Sequence, residues 1–153
     1  MIATIAKRFT FDAAHCLPKL GPDHKCHRLH GHTYEVELVC RGPVDEHGFV
    51  IDYDEIARAW APLHEALDHR YLNEIPGLET PSTEHLVAWM YQRWHVAAAA
   101  ASVLERPRSA PHLFWNVLDR IRIKESSTTW CEMSQVEWLA FCGPNALSKL
   151  AGR

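Results

Sequence analysis

The segment CHRLHGH, from Cys26 to His32, places one thiol and three imidazoles within seven consecutive residues. Imidazole nitrogens bind zinc and other divalent metals, and thiolates act as nucleophiles or as bases. Two interpretations are open. The segment is either a metal site with a reactive cysteine beside it, or a polar turn whose histidines make ordinary hydrogen bonds at the surface.

Strand alternation favours the metal site. His30 and His32 are two residues apart in a pattern that alternates through Leu38, so both side chains project from the same face of a predicted strand. His15 ends a second alternating segment that begins at Ile2, and it is available as a third nitrogen. Three histidines with an open fourth position are typical of a catalytic zinc site rather than a structural one.

Two cysteines are near enough in sequence to take part. A cysteine beside a cation loses its proton more readily, which suits a nucleophile or general base, and Cys26 precedes His30 in the same loop. Cys16 directly follows His15, but as its neighbour on a strand it should point to the other side. Either thiol could instead be a small apolar filler, as isolated cysteines often are.

The elements that position these residues are predicted to run in the order strands, helices, strands, which is an α+β fold. After a turn region at 41–48, Asp52 is placed to cap a helix that Pro62 could kink or restart. Its predicted buried residues are Ile56, Trp60, Leu63 and Leu67.

A second helix is predicted to begin with Ser82 or Thr83 as its cap, to bury Leu86, Val87, Met90 and Trp94, and to continue through the alanines to 101. A strand follows, in which Ile121 and Ile123 alternate with basic residues. Glu125 continues the alternation of the two isoleucines and is expected to point inward. The last strand is expected near Met133 to Trp138.

Composition limits the function classes. The 153 residues are 47% hydrophobic, which fits one domain spanning 1–153, and the net charge of -3 argues against a general nucleic-acid binder. No apolar run reaches the about 20 residues that span a bilayer, and MIATIAKRFTFD lacks the pattern of a secretory signal. The five cysteines include no CxxC pair and suggest no disulfide framework. We therefore expect a cytoplasmic protein with no membrane and no nucleic-acid partner.

Several ordered motifs resemble one known family. FDAAH, CHRLHGHTYEVEL, LDHRYLN, PSTEHL and IKES are similar to the 6-pyruvoyl-tetrahydropterin synthase superfamily, most of all to the bacterial branch that makes 6-carboxy-tetrahydropterin. In that branch Cys-x-x-x-His-Gly-His is the usual spacing, and Cys26 to His32 match it. The similarity covers about 8–94 and 121–138, and several motifs in order are more specific than any one of them.

The resemblance implies a fold. Members have a four-stranded antiparallel sheet with two helices on one face, called the tunnelling fold or T-fold. Three subunits join their sheets into a barrel, two trimers commonly stack, and the active site forms where subunits meet. We therefore expect a homo-oligomer, either a trimer or a dimer of trimers.

The resemblance also implies roles for individual residues. His15, His30 and His32 match the ligands of one zinc ion per subunit, and Cys26 matches the catalytic cysteine. Asp68 and His69 match a pair that completes proton transfer. The expected substrate-binding residues are Glu125, which matches the carboxylate that anchors the pterin, and Ser82 and Thr83, which fall where the family has hydroxyls.

The implied activity is the zinc-dependent conversion of 7,8-dihydroneopterin triphosphate to 6-carboxy-5,6,7,8-tetrahydropterin, with release of acetaldehyde and triphosphate, in queuosine and 7-deazapurine biosynthesis. One alternative is a 6-pyruvoyl-tetrahydropterin synthase, which keeps the side chain and usually has a longer spacing between the cysteine and HGH. Another is a non-catalytic zinc-binding or pterin-binding module. The sequence departs from the family in an insertion at about 95–118 and an extended tail after 142.

Overall fold

Two long antiparallel strands form the centre of the molecule. The computed structural model describes residues 1–103 and 110–142. In it β1 (Ile2–His15) and β2 (His30–Pro43) pair along their whole lengths, with Ile2 opposite Pro43 and His15 opposite His30. The turn expected at 41–48 is therefore shorter, because β2 continues to Pro43 before the chain reverses.

Three shorter strands complete the sheet. β3 (Arg70–Tyr71) pairs in parallel with Ala13 and Ala14 of β1. On the other side β4 (Leu118–Lys124) and then β5 (Trp130–Ser134) add antiparallel, so the order is β3-β1-β2-β4-β5. The expected sheet of four antiparallel strands is thus wrong in its count. The chain returns beside the end of β1 after the first helix, and two of its residues pair there as a fifth, parallel strand.

The first helix, α1 (Tyr53–Leu67), begins where the sequence predicted. Asp52 is its N-cap, and its carboxylate accepts a hydrogen bond from the Asp54 N–H at 2.8 Å. The four predicted apolar residues are buried. The helix is continuous through Pro62, so the expected break does not occur.

The second helix, α2 (Thr83–Val103), also confirms its predicted start. Ser82 supplies both capping acceptors: its carbonyl accepts from the Leu86 N–H at 2.9 Å and its hydroxyl from the His85 N–H at 3.4 Å. Leu86, Val87, Met90 and Trp94 are buried as expected.

Two further helices were not predicted. These are α3 (Ala110–Val117) and α4 (Gln135–Cys142), so the expectation of two helices is incomplete. The last strand was expected near Met133 to Trp138, but β5 ends at Ser134. There the Ser134 N–H donates to the Glu137 carboxylate at 2.7 Å and the Glu137 N–H donates to the Ser134 hydroxyl at 3.2 Å. This reciprocal capping box stops the strand and starts α4.

The predicted insertion at about 95–118 contains the end of α2 and all of α3. Phe114 is fully buried against Trp94, with ring centroids 4.9 Å apart. It therefore belongs to the main core of the chain. Residues 104–109 of the insertion, and residues 143–153 of the predicted tail, lie outside the described residues.

The two faces of the sheet differ sharply. One face packs against the helices and is buried, and its largest strand residues are Phe11, Tyr34, Leu38, Ile121 and Ile123. The other carries alternating charges across neighbouring strands, from Arg8 to Glu37, Arg122 and Glu132. Within residues 1–103 and 110–142, the helices thus cover one face of the sheet. In the part of the chain that the structure describes, no helix combines the length and apolar character needed to cross a membrane.

Candidate functional site

Four side chains converge where the two central strands end. They are His15, His30, His32 and Glu125, and one potential ligand atom from each lies within 4.8 Å of the others. The strand register explains the convergence, because His15 and His30 are paired across β1 and β2, and His32 is two residues further on. Glu125 directly follows β4, where its N–H donates to the Thr129 carbonyl at 3.3 Å. We call these four residues the metal group.

Backbone carbonyls fix the orientation of two of these rings. Nδ1 of His15 donates to the Pro81 carbonyl at 2.9 Å, and Nδ1 of His30 donates to the Arg28 carbonyl at 2.8 Å. A carbonyl only accepts, so both Nδ1 atoms carry the proton, and in a neutral imidazole Nε2 then presents a lone pair. The two Nε2 atoms face each other at 3.1 Å. Two lone pairs at that distance repel unless a proton or a cation lies between them.

The donor set fits a divalent metal ion such as zinc. Two ligands of a tetrahedral zinc ion at their usual bond lengths are about 3.3 Å apart, close to the separation of these two nitrogens. Nε2 of His32 is buried and has no hydrogen-bond partner among the described residues. It lies 3.1 Å from Glu125 Oε1, but not at a hydrogen-bonding angle. Burial lowers the pKa of His32, which favours its neutral form. No ion is present in the structure.

Asp68 and His69 form the second feature, beside the edge of β1. His69 Nδ1 donates to Asp68 Oδ2 at 2.8 Å, and Asp68 Oδ1 accepts from the Asp12 N–H at 3.0 Å. The hydrogen bond to Asp68 raises the pKa of His69. The pKa of Asp68 is lowered, mainly by the hydrogen bond from the Asp12 N–H and next by the hydrogen bond from His69. The arrangement favours a carboxylate that orients a readily protonated imidazole.

The backbone at His69 is held in an unusual conformation. Its φ of 55° lies in the left-handed region, which side chains other than glycine seldom adopt. A hydrogen bond of 2.6 Å from its N–H to the Asp12 carbonyl secures it. His69 lines an open cavity of about 580 Å³ together with His32, Gly31 and Tyr71. Of the metal group, His32 lines that cavity, whereas His15, His30 and Glu125 lie outside its lining.

Cys26 lies in a short 3-10 turn, Lys25–His27, with a free and half-buried thiol. Its carbonyl accepts from the Leu17 N–H at 2.8 Å, which holds the turn against the chain two residues beyond His15. The thiol is not part of the metal group. Cys16, the rival considered from sequence, contacts the Tyr71 hydroxyl at 3.2 Å.

Ser82 and Thr83 are near the metal group through the backbone. They directly follow Pro81, the residue whose carbonyl accepts from His15, and both are half-buried. The Ser82 hydroxyl also lies 3.3 Å from a ring nitrogen of His85. The start of α2 therefore adjoins the metal group, while the substrate-binding role of Ser82 and Thr83 stays a prediction.

Comparison with known proteins agrees with this geometry. The sequence profile of 6-pyruvoyl tetrahydropterin synthase matches residues 4–136. The chain belongs to the 6-pyruvoyl tetrahydropterin synthase family. A relative from Synechocystis sp., named 6-carboxy-5,6,7,8-tetrahydropterin synthase, is 35% identical over 72% of this chain and 92% of its own length.

Two further comparisons give a relative with a different named activity and a solved structure. A Pyrococcus furiosus relative named dihydroneopterin monophosphate aldolase is 36% identical over 61% of this chain and 75% of its own length. The solved structure of Caenorhabditis elegans 6-pyruvoyl tetrahydropterin synthase superposes with a TM-score of 0.67 at 24% identity, over 88% of this chain and 96% of the other. The predicted family is therefore confirmed, while the roles of individual residues stay predictions.

Sequence reasoning missed several groups at this site. The hydroxyl of Tyr34 is buried without a hydrogen-bond partner among the described residues, and its ring lies 5.6 Å from that of His32. Strand alternation placed Tyr34 on the face of His30 and His32, which was the available signal. The carbonyls of Pro81 and Arg28 had none, because their direction depends on loop geometry.

Proposed function

We propose that this protein is a zinc-dependent synthase that converts 7,8-dihydroneopterin triphosphate to 6-carboxy-5,6,7,8-tetrahydropterin, acetaldehyde and triphosphate, and that it serves queuosine and 7-deazapurine synthesis. The observation that carries the proposal is the facing pair of Nε2 atoms of His15 and His30, 3.1 Å apart, beside the buried Nε2 of His32. The Synechocystis relative's name and the short spacing from Cys26 to His30 support the choice of branch.

The overall chemistry needs proton transfers but no external reductant. The dihydropterin ring gains two hydrogens as a side-chain carbon is oxidised, and water is consumed when that carbon becomes a carboxylate. The carbon–carbon bond beyond it breaks, and the other two carbons leave as acetaldehyde after triphosphate is lost. The protein must therefore hold the side-chain oxygens, move protons and fix the ring.

Each predicted role suits one of these tasks. Zinc held by His15, His30 and His32 would act as a Lewis acid that stabilises negative charge on the side-chain oxygens. Cys26 as thiolate takes a proton from the side chain. His69, whose pKa Asp68 raises, is protonated more readily and returns a proton to the developing product.

The pterin ring is bound by the remaining residues. Glu125 accepts hydrogen bonds from the amino group and ring N–H, because a carboxylate offers two acceptor oxygens to that edge. Ser82 and Thr83 lie near the ring, and their position beside Pro81 supports this placement.

The site is completed by a second copy of the chain. The resemblance implies an active site where subunits meet, and three members of the metal group, His15, His30 and Glu125, lie outside the cavity that His69 lines. We therefore assign the Asp68–His69 pair of that site to a neighbouring subunit. Among the described residues, the outer edge of β1 pairs with β3 at Ala13 and Ala14, and the backbone of Asp12 is hydrogen-bonded to Asp68 and His69. Residues 2–11 remain as an edge without a strand partner. Long free edges favour pairing with another chain, and this supports joining of sheets into a barrel in a trimer or dimer of trimers.

A product assay tests the proposed reaction. Zinc-loaded protein is incubated without oxygen with 7,8-dihydroneopterin triphosphate, and products are resolved by mass spectrometry. We expect acetaldehyde with 6-carboxy-5,6,7,8-tetrahydropterin. A retained three-carbon side chain would assign the pyruvoyl reaction, and a hydroxymethyl group on the ring would assign the aldol cleavage that the Pyrococcus relative's name indicates. Absence of turnover in the zinc-loaded oligomer would favour a binding module.

The cysteine assignment is tested in the same assay. Cys26→Ala should lower turnover by about 10²–10⁴-fold, the usual contribution of a general acid or base, and should keep zinc. Cys16→Ala is the matched control, because it removes a thiol near the same site and should retain activity. Loss of activity in the Cys16 variant alone would move the role to that residue.

A further inference from the structure

We propose that Glu125 is the fourth ligand of the metal when no substrate is bound, and that its carboxylate leaves the metal when a pterin enters the site. The inference rests on the proposed function for the identity of the incoming ligand. It assigns Glu125 two successive positions, one on the metal and one on the pterin ring. The sequence motif implied only the second.

Interatomic distances support the first position of Glu125, as a ligand of the metal. Oε1 of Glu125 lies 3.3 Å from Nε2 of His15 and 3.1 Å from Nε2 of His32. These separations match that between the facing Nε2 atoms of His15 and His30, which is 3.1 Å. The carboxylate oxygen is therefore spaced from two of the imidazole nitrogens as one ligand of a tetrahedral ion is from another, and histidine nitrogens and glutamate oxygens are both usual zinc ligands.

Charge supports the same position. The side chain of His15 is 1% exposed, that of His32 is 24% exposed and that of Glu125 is 27% exposed. Three neutral imidazoles leave both positive charges of a divalent ion uncompensated in poorly hydrated surroundings, which is costly. One carboxylate on the ion neutralises half of that charge.

The second position follows from where Glu125 lies in the chain. It is the first residue after β4 and opens the turn 126–129, so its backbone is fixed while its side chain is partly exposed. A carboxylate that accepts two hydrogen bonds from the pterin edge uses both oxygens there. Reaching that edge turns both oxygens toward the ring, so in this proposal binding of the ring is coupled to departure of the carboxylate from the metal.

A simpler interpretation is a protonated histidine that donates to Glu125 without any role for Glu125 on the metal. Zinc affinity separates the two. Chelator competition on the oligomeric protein should show Kd for zinc weakened by at least about tenfold in Glu125→Gln, and by at least as much in Glu125→Ala. Glu35→Gln is the matched control, because Glu35 carries the same charge, pairs with Lys124 next in sequence to Glu125, and points to the other face of the sheet.

Replacing zinc with Co²⁺ allows the departure of Glu125 from the metal to be followed by absorption spectroscopy. The visible bands of Co²⁺ depend on its ligands, and 7,8-dihydroneopterin does not absorb there. Adding this pterin should shift the bands of the wild type and of Glu35→Gln. Glu125→Ala should have a different spectrum before any pterin is added.

Two results would overturn the inference. In the first, both Glu125 variants have a zinc Kd within twofold of the wild-type value and a cobalt spectrum that superimposes on that of the wild type. The other is a wild-type cobalt spectrum that pterin leaves unchanged although binding is demonstrated by fluorescence. Either result leaves the proposed function standing if the product assay succeeds. Failure of the three histidines to bind zinc would instead remove both.

Discussion

Two clusters of side chains in this molecule each enclose the ring nitrogens of a histidine, and they do so in opposite ways. The metal group at the ends of β1 and β2 surrounds its imidazoles with carbonyls, each other and a carboxylate. The second cluster lies between α2, α3 and α4, where the rings of Trp115 and Trp138 contact both His95 and Tyr91. The ring of His95 is 5.0 Å from that of Trp115 and 5.5 Å from that of Trp138. We call these four residues the aromatic cluster.

The difference is in what the ring nitrogens face. In the metal group one nitrogen of His15 and of His30 donates to a carbonyl, and the other is directed at the shared centre. In the aromatic cluster both nitrogens of His95 are buried with no hydrogen-bond partner among the described residues. Burial alone therefore does not distinguish a ligand from a packed ring. Convergence of several nitrogens, each oriented by a second contact, does.

The clusters also differ in what they contribute. The metal group is polar, and the ion proposed for it would stabilise the protein because it would be bound only in the folded state. The aromatic cluster joins three helices through apolar contact, and Tyr91 adds a hydrogen bond of 2.8 Å from its hydroxyl to the Met133 carbonyl of β5. We infer that the first cluster serves chemistry and the second holds α4 onto the fold.

The largest effect is expected from removing one ligand. His30→Ala should reduce zinc from one ion per chain to almost none, with Kd weakened by at least about 100-fold, since loss of even a supporting residue can cost that much. Zinc content after dialysis and a chelator titration would measure it. His95→Phe is the matched comparison, because it removes a histidine whose ring nitrogens are buried in the other cluster, and it should keep full zinc.

Full retention of zinc in His30→Ala would remove the metal assignment. Loss of zinc in a folded His95→Phe protein would show that the two clusters are not independent. Circular dichroism of both variants separates loss of metal from loss of fold.

A smaller effect is expected in the aromatic cluster. Trp138 is 2% exposed, so Trp138→Ala should lower the free energy of unfolding by about 3–5 kcal/mol, the usual cost of deleting a large buried ring. Denaturant unfolding of the zinc-loaded protein measures it, and zinc Kd of the folded fraction should stay unchanged. The neighbouring Phe141→Ala is the control, since that ring is 81% exposed and should cost little. Equal costs for the two variants would contradict the packing role of Trp138.

The metal group was predictable because it depends on short-range geometry. Alternation along β1 and β2 fixed the faces of His15, His30 and His32, and antiparallel pairing of the two strands then brought them together. The inward direction of Glu125 followed from the same alternation. Its closeness to the imidazoles did not, because the reach of a flexible side chain depends on where the strand ends.

The C-terminal part of the described chain, in contrast, was not predicted correctly from local patterns. Apolar residues from Met133 to Trp138 suggested a strand, although Ser134 and Glu137 already carried the spacing of a capping box. The aromatic cluster had a partial signal, because Tyr91 and His95 are four apart on one helix. Trp115 and Trp138 join them from distant positions, and no local pattern predicts such a contact.

The finest test of the comparison is the pH dependence of stability that His95 confers. Burial among the rings lowers the pKa of His95 below its ordinary value of 6.5. The unfolded chain then binds a proton at pH values where the folded chain does not, so this residue's contribution to stability is present above about pH 6.5 and is lost as pH falls toward the lowered pKa. For one proton the slope cannot exceed about 1.4 kcal/mol per pH unit. His95→Phe should flatten that part of the slope in urea unfolding between about pH 5 and 8, whereas the exposed His47→Gln should leave it unchanged. If His95→Phe keeps the wild-type slope, the ring is not held neutral by its aromatic neighbours, and the contrast between the two clusters would rest on hydrogen bonding alone.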